Sequence, residues 1–112
     1  APDRSLFLWT ADVTDEHLPL LEKQLESSQW FVRCSVVRTL RKMDDGNAVL
    51  PILERQLPRE KDGYCLLELA IALGKFKEYD KAMSIMQSLR DDPQVGAQAR
   101  EFLQKSSSPV QP

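Results

Sequence analysis

His17 and Cys34 are the residues of this sequence whose types could support metal binding or nucleophilic catalysis. His17 is the only histidine, whereas a zinc or iron site needs three or four ligands at supportive spacing. A cysteine nucleophile needs a neighbouring base, and no histidine lies close to Cys34 along the chain. We therefore predict no catalytic residue, no metal site and no cofactor, and we expect His17 to be exposed at a helix start.

The two cysteines, Cys34 and Cys65, are expected to be unpaired small apolar residues. Cys34 lies two residues after Val32, which is roughly 200° around a helix. Cys65 occupies the position that Val32 has in the preceding unit of a repeat described below. The two side chains should therefore point in different directions, whereas a disulfide needs Cα atoms within about 7 Å. A disulfide is the alternative.

A short stretch of the chain is strongly basic, with Arg33, Arg38, Arg41 and Lys42. In one interpretation, acidic residues of an adjacent helix neutralise these side chains, and the segment 12–26 is rich in Asp and Glu. In the other, they line a charged groove for an acidic protein segment. A nucleic-acid groove is a further alternative, although only one predicted helix is strongly basic.

Three aromatic residues stand where predicted helices begin. Trp30 and Phe31 precede one basic helix, and Tyr64 precedes the equivalent helix of the next unit. If exposed, such rings would anchor a partner; if buried, they would pack between units. The candidate partner-binding residues are therefore Arg33, Arg38, Arg41, Trp30 and Tyr64.

The composition is that of a globular domain. The chain has 112 residues, of which 42% are hydrophobic and 29% charged, and its net charge is −2. These values exclude a disordered tail, a disulfide-packed toxin and a protein that is basic overall. No apolar run approaches the roughly 20 residues of a membrane span.

An internal repeat organises the chain. Residues 18–25 read LPLLEKQL and residues 50–57 read LPILERQL, an offset of 32. Apolar stripes of helical spacing follow each copy, at an offset of 33. A weaker third copy begins at Ala82 with an offset of 30, which predicts a shortened linker.

These patterns predict an all-α fold with helices at about 15–25, 29–43, 47–57, 63–76, 80–90 and 94–105. They form one domain, 1–105, with repeats at about 15–43, 47–76 and 80–105, and residues 106–112 are expected to be a disordered tail. Residues 4–10 are expected to form a capping helix, with Trp9 in the core or against a neighbouring segment. Each pair is too thin to bury its own stripe, so stacking should complete the core as an α–α superhelix.

The second helix of each unit resembles the HEAT-like, armadillo-type repeat family. The first copy carries Val32-Arg33, Val36-Val37 and Leu40, and the second carries Ala72-Leu73-Gly74 and Phe76. The resemblance covers about 15–104. It implies that the second helices line a concave binding face and that Arg33 pairs with an acidic residue of a neighbouring unit. Residues 69–89 also resemble one tetratricopeptide repeat, which would give a similar stack of helical hairpins.

The resemblance implies a non-catalytic scaffold that binds a protein or peptide, acidic if the basic helix takes part. An auxiliary domain of a larger enzyme, such as a HEAT-like lyase, is one alternative, and a weak nucleic-acid binder is another. The chain begins Ala1-Pro2 without Met, so we expect a fragment or a processed chain. We expect a monomer that does not bind membranes; the compartment stays open between the cytoplasm, which is favoured, and secretion.

Overall fold

The computed structural model describes residues 15–107, and every regular element in that range is helical. Short 3-10 turns cover Asp15–His17 and Leu57–Arg59. The predicted helix at 4–10 and Trp9 lie outside the described residues. No helix within 15–107 is long and apolar enough to cross a bilayer. The six helices are α1 Leu18–Gln24, α2 Trp30–Lys42, α3 Gly46–Gln56, α4 Gly63–Lys75, α5 Tyr79–Leu89 and α6 Gly96–Ser107.

Aspartate side chains determine where α3 and α4 begin. Asp45 and Asp62 each accept a hydrogen bond from the backbone amide three residues later, at 3.2 and 3.0 Å. Each carboxylate thereby satisfies an amide that has no partner within its helix. The predicted break at Gly46-Asn47 is wrong, because both residues belong to the first turn of α3.

The helices recur every 33 residues. α2, α4 and α6 begin at Trp30, Gly63 and Gly96, while α3 and α5 begin at Gly46 and Tyr79. The predicted offset of 30 for the third unit is therefore wrong. No linker is shortened, since residues 43–45 and 76–78 form connections of equal length.

Burial follows the same spacing and explains the error. An offset of 30 aligns Ala82 with Ile52, whereas Ala82 takes the buried position that Val49 has in α3. A smaller side chain at the start of α5 thus hides the true register. The buried positions of α3 are Val49, Ile52, Leu53 and Gln56, and those of α5 are Ala82, Ile85, Met86 and Leu89.

α4 is the central helix of the described chain. It packs extensively against α2 and α5, and it also contacts α3. α1 packs against α2, and α6 packs against α5. The apolar stripes meet in one core, whose largest fully buried side chains include Leu21, Leu40, Leu53, Leu69, Leu73 and Met86. α6 extends to Ser107, into the segment expected to be a tail; residues 108–112 are outside the described part.

The reversal from α4 to α5 is a Schellman motif with lysine at the left-handed position. Lys77 has φ 70°. Its amide bonds the carbonyl of Gly74 at 3.1 Å, and the amide of Glu78 bonds that of Leu73 at 2.9 Å. These two bonds satisfy carbonyls at the end of α4 and turn the chain back onto it.

We expect Gly96→Ala to lower the free energy of unfolding by roughly 1–3 kcal/mol, as overpacking usually does. A Cβ at Gly96 would lie 2.8 Å from the carbonyl oxygen of Arg90, a backbone atom that cannot rotate away. Urea denaturation followed by circular dichroism measures the loss.

Gly74→Ala is the matched control, because a Cβ at Gly74 would lie 3.9 Å from its nearest neighbours, Ala82 and Phe102. That substitution should raise the free energy of unfolding by about 0.5 kcal/mol, since alanine restricts the unfolded chain and suits a helix better. Equal effects of the two substitutions would contradict the close approach at Gly96.

Candidate partner-binding surface

Three aromatic rings form a cluster where α2 and α4 begin. Trp30 stacks on Tyr64 with centroids 5.3 Å apart and planes at 24°. Phe31 meets Trp30 edge to face at 6.0 Å. Trp30 is 44% exposed and Phe31 52%. The cluster therefore joins two neighbouring helices and still offers a large aromatic area to a partner.

Arg33 is held inside the molecule by a buried carboxylate. Its Nε and one terminal nitrogen donate to the two oxygens of Glu60, each at 2.9 Å, and its other terminal nitrogen donates to the carbonyl of Ser27 at 2.9 Å. The Glu60 hydrogen bond raises the pKa of Arg33. The pairing expected for Arg33 with an acidic residue of a neighbouring unit is present, and this side chain has little capacity left for a partner.

Glu60 is the centre of this network. It also accepts hydrogen bonds from Gln56 Nε2 at 3.0 Å and from the amide of Asp62 at 3.1 Å. Burial alone would raise the pKa of Glu60, but the bonds from Arg33, Gln56 and Asp62 together lower it below its ordinary value. Glu60 is thus a buried anion, fully paired, that links α2 to the segment before α4.

Arg38 and Arg41 share a single carboxylate on α4. Glu68 lies 2.9 Å from Arg38 and 3.4 Å from Arg41, and the hydrogen bond to Glu68 raises the pKa of Arg38. The side chain of Arg38 is 53% exposed. Two guanidinium groups against one carboxylate leave an excess positive charge at the surface.

The acidic segment 12–26 does not supply the counter-charges of α2 within the described residues. Glu22 instead pairs with Arg55 of α3 at 2.7 Å, which lowers the pKa of Glu22. Neutralisation by residues of α1 is therefore wrong for Arg33, Arg38 and Arg41, whose acidic neighbours come from the following unit. The physical reason is that α2 lies beside α4, not across from an acidic face of α1.

We call the strip formed by Trp30, Tyr64, Arg38, Arg41 and Glu68 the α2–α4 surface. Lys75 extends it at the end of α4, where its ammonium group bonds the carbonyls of Arg41 and Met43, the latter at 3.1 Å. A cation there suits the negative end of α2. Of the predicted contact residues, all except Arg33 present an accessible part on this strip or its aromatic end.

A cleft of about 420 Å³ opens near the beginning of α2 and extends the positive charge. Arg33, Arg59 and Lys61 line it, together with the carboxylate of Glu26. Arg59 and Lys61 are exposed. The sequence analysis missed them because they lie in the connection after α3, where no helical stripe signals a common face.

Cys34 and Cys65 are both buried and lie side by side, so the prediction that they point apart is wrong. Hydrogen bonding between the thiols lowers the pKa of Cys34 and, together with burial, raises that of Cys65. Equivalent positions on two neighbouring helices point the same way, and it is residues on different flanks that meet between them. Cys34 lies on the flank of α2 that faces the first turn of α4.

No site for a metal ion is formed by the His, Cys, Asp and Glu side chains of residues 15–107. His17 ends the turn before α1 and is half-buried. The chemistry that the geometry offers is therefore stacking, ion pairing and thiol chemistry.

No known protein family, no curated protein and no solved structure matches this chain.

Proposed function

We propose that the chain is a non-catalytic repeat module of the HEAT-like kind and that it binds an acidic protein or peptide segment along the α2–α4 surface. The observation that carries this proposal is the exposed stack of Trp30 on Tyr64 at the head of a strip with excess positive charge. The strip combines an aromatic anchor with guanidinium groups, two elements that protein interfaces favour.

The constant 33-residue spacing of the helices supports a repeat architecture. α2 and α4 have equal lengths, occupy equivalent places in their units and pack against each other. Stacked helical hairpins of this type carry binding surfaces along their inner helices. The α2–α4 surface is such a pair of inner helices.

The geometry of the strip sets the spacing of the ligand. Trp30 and Arg38 are eight residues apart on one helix, or about 12 Å at 1.5 Å per residue. An extended peptide covers that distance with about four residues. A bound segment should therefore carry an apolar or aromatic residue and a carboxylate three to five positions apart.

Selection from a displayed library of random dodecapeptides on the immobilised chain tests the proposal. Enriched peptides should contain that pairing of an apolar residue with Asp or Glu. For a selected peptide, Trp30→Ala and Arg38→Glu should each raise the Kd at least tenfold in fluorescence anisotropy, because each removes an anchor from the strip.

Tyr79→Ala is the matched control, since Tyr79 is 59% exposed on α5, away from the strip. It should leave the Kd within about twofold, as expected for a residue outside the contact. Arg33 is excluded from the test set because its loss would unpair Glu60. Peptides without acidic residues, or unchanged binding by Trp30→Ala, would contradict the proposal. So would tighter, steeply salt-dependent binding of a labelled single-stranded oligonucleotide, which is the signature of a nucleic-acid site.

A further inference from the structure

Two buried cysteines from neighbouring helices meet below the aromatic cluster. Cys34 lies in the second turn of α2, and Cys65 is the third residue of α4. The Sγ of Cys65 donates to the backbone carbonyl of Trp30 at 3.1 Å. In an α-helix that carbonyl also lies next to the amide four residues on, which is the amide of Cys34.

This contact requires the two backbones to approach closely. A cysteine side chain extends only two bonds from its Cα, so a thiol that bonds the backbone of the opposite helix places both main chains near each other. Such proximity is the first requirement of a disulfide. The second is that the sulfur atoms face each other, and the Cys34 and Cys65 thiols interact directly.

We propose that Cys34 and Cys65 are a redox-active pair that a peroxide converts into an intramolecular disulfide joining α2 to α4. The Cys34 thiolate attacks one oxygen of hydrogen peroxide, the O–O bond breaks, and the leaving hydroxide takes up a proton as water. Cys65 then attacks the resulting sulfenic sulfur of Cys34; the S–S bond forms, the S–O bond breaks, and the thiol proton leaves with the hydroxyl group as a second water. Two thiols are oxidised and one peroxide is reduced.

The environments of the two thiols fit these roles. Contact with the Cys65 thiol lowers the pKa of Cys34, which makes Cys34 the attacking thiolate. Cys65 stays protonated and adjacent, as a resolving cysteine does. Cys34 is 2% exposed and Cys65 0%, so a small oxidant is the class that fits, and bulky disulfides are excluded.

The experiment treats the reduced chain with hydrogen peroxide, alkylates it in denaturant and measures its intact mass. We expect a monomer lighter by two hydrogen atoms, with no alkylated thiol, which dithiothreitol returns to the reduced form. The oxidised chain should have an unfolding equilibrium constant lower by roughly two orders of magnitude, because the bond closes a long loop in the unfolded state.

The variants Cys34→Ser and Cys65→Ser separate pairing from simple oxidation. Each retains one sulfur and should yield no loss of two hydrogen atoms. Two alkylated thiols after treatment, mass gains of oxygen atoms without pairing, or disulfides only between molecules would each overturn the proposal. The measurement needs no ligand, so it can fail or succeed independently of peptide binding.

Discussion

Replacing Glu60 with alanine is expected to lower the free energy of unfolding by about 3 kcal/mol, the usual cost of breaking a buried ion pair from one side. Glu60 is 6% exposed, and its carboxylate accepts bonds from Arg33, Gln56 and the amide of Asp62. Without it, the guanidinium of Arg33, only 17% exposed, has no counter-charge. Equilibrium urea denaturation measures the change.

Glu54→Ala is the matched control for this prediction. Glu54 also forms an ion pair with a cation, Lys81, but both side chains are more than one third exposed. Exposed pairs contribute about 0–1 kcal/mol, so this substitution should have little effect. Similar losses in the two variants would show that the Glu60 network does not stabilise the fold in the way its geometry indicates.

The Glu60 network also predicts how stability depends on pH. Its folded pKa is lowered from the ordinary 4.5, so its contribution is fully present above that value and is lost as pH falls through the folded pKa. The wild-type free energy of unfolding should therefore decline below pH 4.5. Glu60→Gln, which cannot titrate, should be less stable at neutral pH and should decline less over the acid range.

Leu69→Ala is the second substitution with a large expected effect, a loss of about 3 kcal/mol in the free energy of unfolding. Leu69 is fully buried in α4, the helix that packs against both α2 and α5. Truncation removes apolar contacts and leaves a cavity that rigid neighbouring helices cannot close. The midpoint of urea denaturation should shift without a change in its slope.

Leu20→Ala tests whether burial, rather than the loss of leucine itself, causes that effect. Leu20 is 39% exposed on α1, so its truncation should cost well under 1 kcal/mol, as surface substitutions usually do. A loss for Leu20→Ala as large as that for Leu69→Ala would contradict the placement of α4 at the centre of the core.

The helical class and most helix positions could be predicted from the sequence because apolar spacing and aspartate caps are local signals. The register of the third unit could not. Ala82 is the small counterpart of Val49, and an alignment by side-chain size therefore slips by three residues. Burial, which depends on the packing of α5 against α4, restores the 33-residue spacing.

The site was only partly predictable for a similar reason. The exposed aromatic residues and the surface arginines were identified from their types, yet their acidic partners Glu60 and Glu68 lie about 30 residues further along the chain. Which acid meets which base depends on how α2 and α4 are rotated against each other. The contact between Cys34 and Cys65 depends on the same rotation, and no spacing within one helix reveals it.

The series of contacts from α1 through α2, α4 and α5 to α6 has a consequence for how the chain opens. An end helix that packs mainly on one neighbour can detach without exposing the centre, so amide hydrogen exchange should be fastest in α1 and α6 and slowest in α4. The same wiring lets evolution lengthen or trim such a protein at its extremities, adding or removing a hairpin while the middle keeps its form.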